Sequence, residues 1–416
     1  MAHEDTPYIY ADNAATTPLS PIALEAMMPY LTTSFGNPSG IHRVSRDAAN
    51  ALAGAREQMA ALIGAERARD IHFTSGGSES DNWVLRGAVR RHRALHGCDA
   101  RTRIVTSTIE HHAILHCCDA LEEEEGVEVV RLPVDSQGFV DPRDLEEALR
   151  GFEEADRVAD PMRPPAPACA LVSIMLANNE VGTIQDVAGL VDIAHRHSVP
   201  FHTDAVQAVG HIPLDIGALG VDALSLSAHK FHGPRGVGAL YLAEGFSIPP
   251  LIAGGAQERG VRAGTENLAG IVGMVAALAE STQGLAGRAR RVAALRDTLT
   301  ERVVHGCDGV VSTGPIDRDR RLPSIASFVC EDVDGELLVV LLDRAGVAAA
   351  TGSACSTGST EPSHVASALG LTKRGLARGT LRLSLSDDTT PEDVDLLCER
   401  VCRCVRRARL LSGTRV

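Results

Sequence analysis

The chain has 416 residues, which is too long for one simple core and predicts two or three domains. Its hydrophobic content of 44% and charged content of 23% are ordinary for a globular protein. The formal net charge of −14 argues against direct binding to nucleic acid or to a membrane surface, because both need a basic face.

The N-terminal residues MAHEDTPYIYADNAATTP carry neither the basic nor the apolar segment of a secretory signal, so we expect a cytoplasmic protein. The longest mostly apolar run, residues 268–279, is too short to span a bilayer. The ten cysteines have no regular spacing, which favours free thiols in a reducing compartment over disulfide bonds.

Short β-rich runs alternate with helical patterns from about residue 55 onward. The runs are residues 70–74, 103–108, 127–134, 169–176, 200–206, 222–229 and 236–242. Because they are apolar almost throughout, they predict a mostly parallel sheet covered by helices on both faces. Four prolines between residues 157 and 168 predict an exposed loop inside this region. Beyond a helix-rich stretch near 268–305, a second alternating region predicts a smaller α+β domain.

Lys230 is one of only two lysines, with Lys373, among 40 basic residues, and it lies in SLSAHKFHGPRG at 225–236. A lysine amine can lose its proton and condense with a carbonyl, whereas the arginine guanidinium stays protonated. A lysine kept in a chain that otherwise uses arginine therefore suggests a Schiff base. The alternative is a chance surface lysine.

Two further stretches complete a pattern around Lys230. The segment DIHFTSGGSESDN, residues 70–82, is a strand, a glycine-rich turn and a helix start, where backbone amides and Ser78 can hold a phosphate, although such turns also simply connect elements. Asp204 ends an apolar strand and needs a cation, which a protonated pyridine nitrogen would supply, while Gln207 could reach a neighbouring ring oxygen. Strand ends of an α/β sheet meet at one edge, so these groups together predict a site for pyridoxal 5'-phosphate (PLP).

Cys355 lies among glycine, serine and threonine in ATGSACSTGSTEPSHV, residues 350–365, and is expected to be an accessible nucleophile. The other nine cysteines are interpreted as structural. Cys398, Cys402 and Cys404 share one helical pattern, and a single helix cannot close a metal shell, so we expect no metal. His111 follows a strand directly and is placed to lie over the cofactor, but His112 is equally possible from spacing alone.

The chain resembles the cysteine desulfurases of the NifS/IscS type, which have the PLP-dependent transferase fold type I of class V aminotransferases. The resemblance runs nearly end to end and rests on YADNAATTP (10–18), FTSGGSESDN (73–82), ANNEVGTIQD (177–186), SAHKFHGPRGVGALY (227–241), GGAQERGVRAGTEN (254–267) and TLRLSLSDDTT (380–390). It implies a large PLP-binding α/β domain at residues 17–285, with a seven-stranded, mostly parallel sheet. Residues 1–16 and 286–416 would form the small domain with the catalytic cysteine.

The resemblance also assigns roles. Lys230 would be the Schiff-base lysine and His111 would stack on the PLP ring, with Asp204 on the pyridine nitrogen and Gln207 on the phenolic oxygen. The phosphate would be held by Gly77, Ser78, Ser227, His229 and, from the second subunit of a homodimer, Thr265. The substrate would be bound by Asn13, Asn179 and Arg382. Cys355 would take the sulfur of L-cysteine as a persulfide, leave L-alanine, and pass the sulfur to an acceptor protein.

The sequence leaves three other functions open. A selenocysteine lyase shares the cofactor and many motifs, an ordinary aminotransferase would have no use for Cys355, and a structural subunit would have lost catalysis. The sulfur could serve iron–sulfur cluster assembly or a specialised pathway such as DNA phosphorothioation, tRNA thiolation or thio-natural-product synthesis. No feature of the chain chooses among these pathways.

Overall fold

The computed structural model describes residues 7–98, 100–159, 169–352 and 362–411. Its strands are β1 (Ile9–Tyr10), β2 (Ile71–Thr74), β3 (Arg103–Ser107), β4 (Glu128–Leu132), β5 (Leu171–Ser173), β6 (Phe201–Asp204), β7 (Ala223–Ser227), β8 (Gly238–Leu242), β9 (Val310–Ser312), β10 (Ile325–Cys330), β11 (Val347–Ala348) and β12 (Thr380–Ser384). Its α-helices are α1 (Pro21–Leu31), α2 (Arg43–Ile63), α3 (Gly77–His96), α4 (His112–Glu125), α5 (Pro142–Ala159), α6 (Val187–Arg196), α7 (Ile216–Leu219), α8 (Leu268–Thr282), α9 (Leu285–Gly306), α10 (Gly335–Arg344), α11 (His364–Ala368) and α12 (Pro391–Leu411).

The central sheet contains all seven predicted strands, in the order β2-β8-β7-β6-β5-β3-β4. Only β8 runs antiparallel to its neighbours, and the remaining pairs are parallel. Nearly every residue of these strands is shielded from solvent, which explains why the runs are apolar almost throughout. The predicted α/β class and the mostly parallel seven-stranded sheet are confirmed.

A second sheet has the antiparallel order β12-β10-β9 and is covered by α9, α10 and α12. Its core includes residues from both ends of the chain, because Ile9 and Ala11 pack with residues between Val292 and Ala408. Pairing of β1 with β11 brings the N-terminal strand to this region. The division at residues 16/17 and 285/286 stays a prediction, and we keep it as part of the proposal below.

Details at the element ends differ from the sequence-based expectations. Helix α5 continues to Ala159, so it includes the first three residues of the loop predicted at 157–168. Residues 160–168 lie outside the described chain. All nine described cysteines are free, and the described residues contain no group of three His, Cys, Asp or Glu arranged to hold a metal ion. No single described helix is long and apolar enough to cross a membrane; α8 and α9 pass that test only as a pair bent by 73°.

Candidate active site

The turn between β2 and α3 lines a cavity whose open amides suit an anion, called the anion cavity below. Helix α3 has no side-chain cap, because its N-cap is Gly76 with φ +152°, so the first amides of the helix are open to a ligand. At Gly77 a Cβ would come within 2.7 Å of the Val206 side chain, so no larger residue fits. Four of the residues predicted to bind the phosphate, Gly77, Ser78, Ser227 and His229, line this cavity. Its other lining residues are Thr16, Ser75, Gly76, Glu79, Arg235 and Gly236.

The charges around this cavity suit an anion. The carboxylate of Glu79, in the first turn of α3, forms an ion pair with Arg262 at 2.8 Å. It also accepts a hydrogen bond from the Ser75 amide at 2.8 Å. Burial and the charge of Lys230 lower the pKa of His229 to about 4, so its imidazole is neutral near pH 7. Arg235 supplies a positive charge at the rim. The turn therefore presents donors without a competing free carboxylate.

Lys230 follows β7 in a short 3₁₀ turn, Ala228–Lys230, at the carboxyl edge of the sheet. Its Nζ donates to the carbonyl oxygens of Ala14 at 2.6 Å and Ala15 at 2.8 Å. The Gln207 side-chain amide donates to the same Ala14 oxygen at 2.9 Å. The N-terminal segment thus crosses the sheet edge between the lysine and the glutamine, and brings these two predicted residues together.

Asp204 is the last residue of β6 and is buried. One of its oxygens accepts the Val206 amide at 2.8 Å. Burial raises the pKa of Asp204 to about 6, while the Val206 amide and the charge of Lys230 oppose that shift. A carboxyl group in this environment gains most from a cationic partner that excludes water.

A buried polar layer lies behind Asp204. Burial, and then the charge of Asp204, raise the pKa of Asp81 on α3, while a hydrogen bond with Ser225 opposes the shift. His202 bridges the hydroxyls of Ser173 and Ser225 at 2.9 Å each. Its Nε2 is 3.8 Å from Asp81 Oδ1, an atom with no hydrogen-bond partner among the described residues. These groups adjoin Asp204, because His202 lies on the same strand and Ser225 is opposite Asp204 in the sheet.

The two adjacent histidines occupy different environments. His111 caps α4, because its Nδ1 accepts the Ala113 amide at 3.1 Å, and burial with the nearby Lys230 charge lowers its pKa to about 4. The ring of His112 instead packs on the rings of His116 and His364, with centroids 4.6 Å away in each case. The neutral, flat ring of His111 is therefore the one beside Lys230, which sequence spacing alone does not decide.

The residues predicted to bind the substrate meet where β12 contacts the N-terminal segment and the connection after β5. Arg382, on β12, is 3% exposed. Its Nη1 donates to the Asn179 carbonyl at 2.8 Å and its Nη2 pairs with Asp12 at 2.8 Å. Its Nε is buried without a hydrogen-bond partner among the described residues. The Asn13 side-chain amide donates to the carbonyl of Ser384, which lies two residues after Arg382 on the same strand, at 2.9 Å.

Thr265 and Cys355, which were also predicted for the site, take no part in the contacts given above. Thr265 is exposed in the loop before α8 and does not line the phosphate cavity, as a residue given to a second subunit would. Cys355 lies outside the described residues, and its nearest described neighbours along the chain are Gly352 and Pro362.

The residues near the site that were not singled out from the sequence include Thr16, Arg235, Asp12 and Asp81. Thr16 and Arg235 line the anion cavity, and both lie inside the motifs that carry the family resemblance. Asp12 adjoins Asn13 and pairs with Arg382. The signal available for all four was their place within these motifs, and only the fold shows which groups they face.

Comparisons with known proteins identify the family of the chain. The aminotransferase class-V family matches residues 9–397. A cysteine desulfurase from Cereibacter sphaeroides is 45% identical over 405 residues, covering 97% of both chains. Cysteine desulfurase IscS from Methanosarcina thermophila is 44% identical and covers 97% of this chain and 93% of its own.

Solved structures point the same way. A NifS-like protein superposes with a TM-score of 0.84 at 34% identity, covering 96% of this chain and 100% of its own. A structure described as SspA in complex with cysteine has a TM-score of 0.74 at 32% identity, covering 92% of this chain and all of its own. The chain belongs to the class-V aminotransferase family, and within it to the cysteine desulfurases.

Proposed function

We propose that this protein is a PLP-dependent cysteine desulfurase that converts L-cysteine to L-alanine and passes the sulfur, held as a persulfide on Cys355, to an acceptor protein. The observation that carries the proposal is the position of Lys230 after β7, directly following His229 of the anion cavity and near enough to the buried Asp204 for its charge to lower the pKa of that carboxyl. An amine, an anion cradle and a buried acid at one edge fit a phosphorylated pyridine aldehyde.

The residues present fit PLP group by group. The open amides of α3 with Ser78, Ser227 and His229 would hold the phosphate, and Gly77 lies against Val206 where a larger residue would not fit. Asp204 would pair with the ring nitrogen, Gln207 would reach the phenolic oxygen, and the flat ring of His111 would cover one face. Bound PLP would supply an electron sink for the pair of electrons left at the substrate Cα when its proton is removed.

Lys230 is the residue that would move that proton. The Ala14 and Ala15 carbonyls fix its Nζ at the sheet edge, so that the amine is oriented whenever it is not bonded to the cofactor. A deprotonated Nζ can take the Cα proton and later return a proton to the product. Asp204, kept from water, would hold the proton on the ring nitrogen, because a carboxylate there stabilises a neighbouring positive charge.

The substrate side would orient L-cysteine. Arg382 would bind the α-carboxylate with help from Asn179 and Asn13, and its buried Nε is an unused donor for that anion. Sulfur transfer then balances without an outside oxidant: the Cys355 thiolate attacks the substrate sulfur, the carbon–sulfur bond breaks, and the carbon takes a proton. Cysteine plus a thiol become alanine plus a persulfide.

The dimer and the compartment belong to the same proposal. Large apolar side chains are exposed along α1 and the segment after it, including Ile22, Met28, Leu31, Phe35 and Ile41, the last 91% exposed. A surface of this kind is typical of an interface, and a homodimer would cover it and bring Thr265 of a second copy to the phosphate. We further propose a cytoplasmic enzyme with the domain division at residues 16/17 and 285/286.

The experiment compares Cys355→Ala with wild type, measuring sulfide and alanine from L-cysteine with a thiol reductant and recording the cofactor absorbance in the same cuvette. We expect sulfide release to fall at least about 100-fold with the absorbance unchanged, because the nucleophile is lost and the cofactor site is intact. Cys98→Ala is the matched control, since Cys98 is the exposed cysteine among those described. Wild-type sulfide release from Cys355→Ala would refute the persulfide role.

A further inference from the structure

Glu180 is a buried acid to which the mechanism above gives no role. It lies in the connection after β5, is 6% exposed, and directly follows Asn179. Its backbone is held firmly, because Asn178 Oδ1 accepts the amides of Glu180 at 2.9 Å and Val181 at 3.0 Å. A buried carboxyl on such a fixed backbone is costly unless its oxygens find partners.

One partner lies just after the segment that carries Cys355. Ser363 donates its hydroxyl to Glu180 Oε2 at 2.5 Å. The same hydroxyl caps α11, because it accepts the amides of Val365 at 3.1 Å and Ala366 at 3.3 Å. The Glu180 carboxyl therefore sets the hydroxyl orientation and the start of α11 together.

The other contact lies just before that segment. A Cβ placed on Gly352 would come within 2.3 Å of Glu180 Oε2 and 3.3 Å of Ser363 Oγ, so only glycine can approach the carboxyl this closely. The chain before Gly352 is tied to β12, because Ala350 and Arg382 exchange backbone hydrogen bonds of 3.2 and 2.7 Å. Gly352 and Ser363 thus meet at one carboxyl oxygen.

Glu180 also belongs to the substrate side. Arg382 donates to the carbonyl of Asn179, the residue before Glu180, at 2.8 Å. Burial raises the pKa of Glu180 to about 7, while the Ser363 hydroxyl and the charge of Arg382 oppose that shift. One short stretch, Asn179–Glu180, therefore contacts the predicted carboxylate-binding arginine and also Gly352 and Ser363, which lie on either side of 353–361.

We propose that Glu180 is a positioning residue for sulfur transfer: it holds Gly352 and Ser363 together beside Arg382, and through them sets where Cys355 reaches the bound substrate. This inference rests on the proposed function, because it takes Cys355 as the sulfur nucleophile. Glu180 acts through its neighbours and is not placed in contact with the substrate or the cofactor.

The test is the rate at which iodoacetamide alkylates Cys355 relative to Cys98 in the cofactor-bound enzyme without substrate, read by mass spectrometry. Cys98 is an exposed internal standard in every variant. We expect Glu180→Ala and Ser363→Ala each to raise the Cys355/Cys98 ratio about fivefold, because the chain ends lose their shared contact. Glu180→Gln keeps an oxygen that can accept from Ser363, so we expect it to stay within about twofold of wild type.

The control is Thr183→Ala, which removes a buried hydrogen bond of 2.6 Å to the Gln137 carbonyl in the same connection without touching Gly352 or Ser363. Its ratio is expected to match wild type, which separates positioning from general loosening. A Glu180→Ala ratio equal to wild type would overturn the proposal, and Ser363→Ala carries the same test if Glu180→Ala does not fold. The ratio needs no turnover, so a wild type that releases no sulfide would refute the proposed function separately.

Discussion

The two sides of the site differ in how their polar groups are partnered. On the proposed cofactor side, helix α3 starts without a side-chain cap, and the acid of its first turn, Glu79, is paired with Arg262. This side would comprise Gly77, Ser78, His111, Asp204, Gln207, Ser227, His229 and Lys230. On the proposed substrate side, which would comprise Asn13, Asn179 and Arg382, the arginine is already paired with Asp12 and with a backbone carbonyl.

This difference matches the time for which each of the two ligands is expected to stay bound. At its phosphate end, a cofactor that stays bound gains from helix amides that have no internal competitor, because nothing must be displaced there when it enters. A substrate that must arrive and leave in each cycle is better served by an arginine whose charge is balanced between turnovers. Asp12 then acts as the internal anion with which the substrate carboxylate competes.

The largest expected effect breaks the cofactor side at its centre. Lys230→Arg keeps a positive charge that the Ala14 and Ala15 carbonyls can bind, but a guanidinium can neither bond to an aldehyde nor give up its proton near neutral pH. We expect alanine and sulfide production to fall at least about 1,000-fold. Activity within about tenfold of wild type would show that charge alone suffices at this position.

A smaller effect sharpens the comparison from the substrate side. Arg382→Lys gives up the planar donor pair and should raise the KM for L-cysteine roughly tenfold, since about 1.4 kcal/mol of charge-assisted bonding is lost. Asp12→Asn removes the competing charge and should lower that KM about two- to fivefold. Steady-state kinetics at fixed ionic strength measures both, and an Asp12→Asn variant with a higher KM would contradict the competition.

Much of the fold followed from the sequence, for identifiable reasons. The seven strands of the large sheet were found at their positions because strands buried on both faces must be apolar almost throughout. Helix α4 ends at Glu125, directly before Gly126 with φ +63°, a conformation in which glycine commonly ends a helix. The sequence also predicted that Asp204 and Lys230 lie at the sheet edge, because Asp204 ends β6 and Lys230 follows β7.

Contacts between distant segments could not be read in the same way. The pairing of Asp12 with Arg382 joins residues 370 positions apart, and the bond from Ser363 to Glu180 joins residues 183 apart. Such pairs depend on how the small sheet meets the large one, which local patterns do not encode. The distinction between His111 and His112 likewise needed the packing of His116 and His364 on one of them.

The smallest expected effect tests whether the cofactor side is kept dry. Glu110, between β3 and α4, is fully buried and accepts from the Ser107 hydroxyl and the Met175 amide. Burial raises the pKa of Glu110 to about 8, from an ordinary value of 4.5. Between these two pH values the folded chain holds a proton that the unfolded chain has released. This carboxyl therefore stabilises the fold most at low pH, and its contribution is lost as pH rises toward 8.

Glu110→Gln removes that titration while keeping an oxygen for the Met175 amide. The difference in Tm, wild type minus variant, should therefore shrink between pH 5 and pH 8.5 by at least about 2 °C. Glu123→Gln, an exposed position on the same α4 helix, should show a constant difference over this range. A constant difference for Glu110→Gln as well would mean that water reaches this carboxyl, and the cofactor side would then lack the low-dielectric surroundings that Asp204 requires.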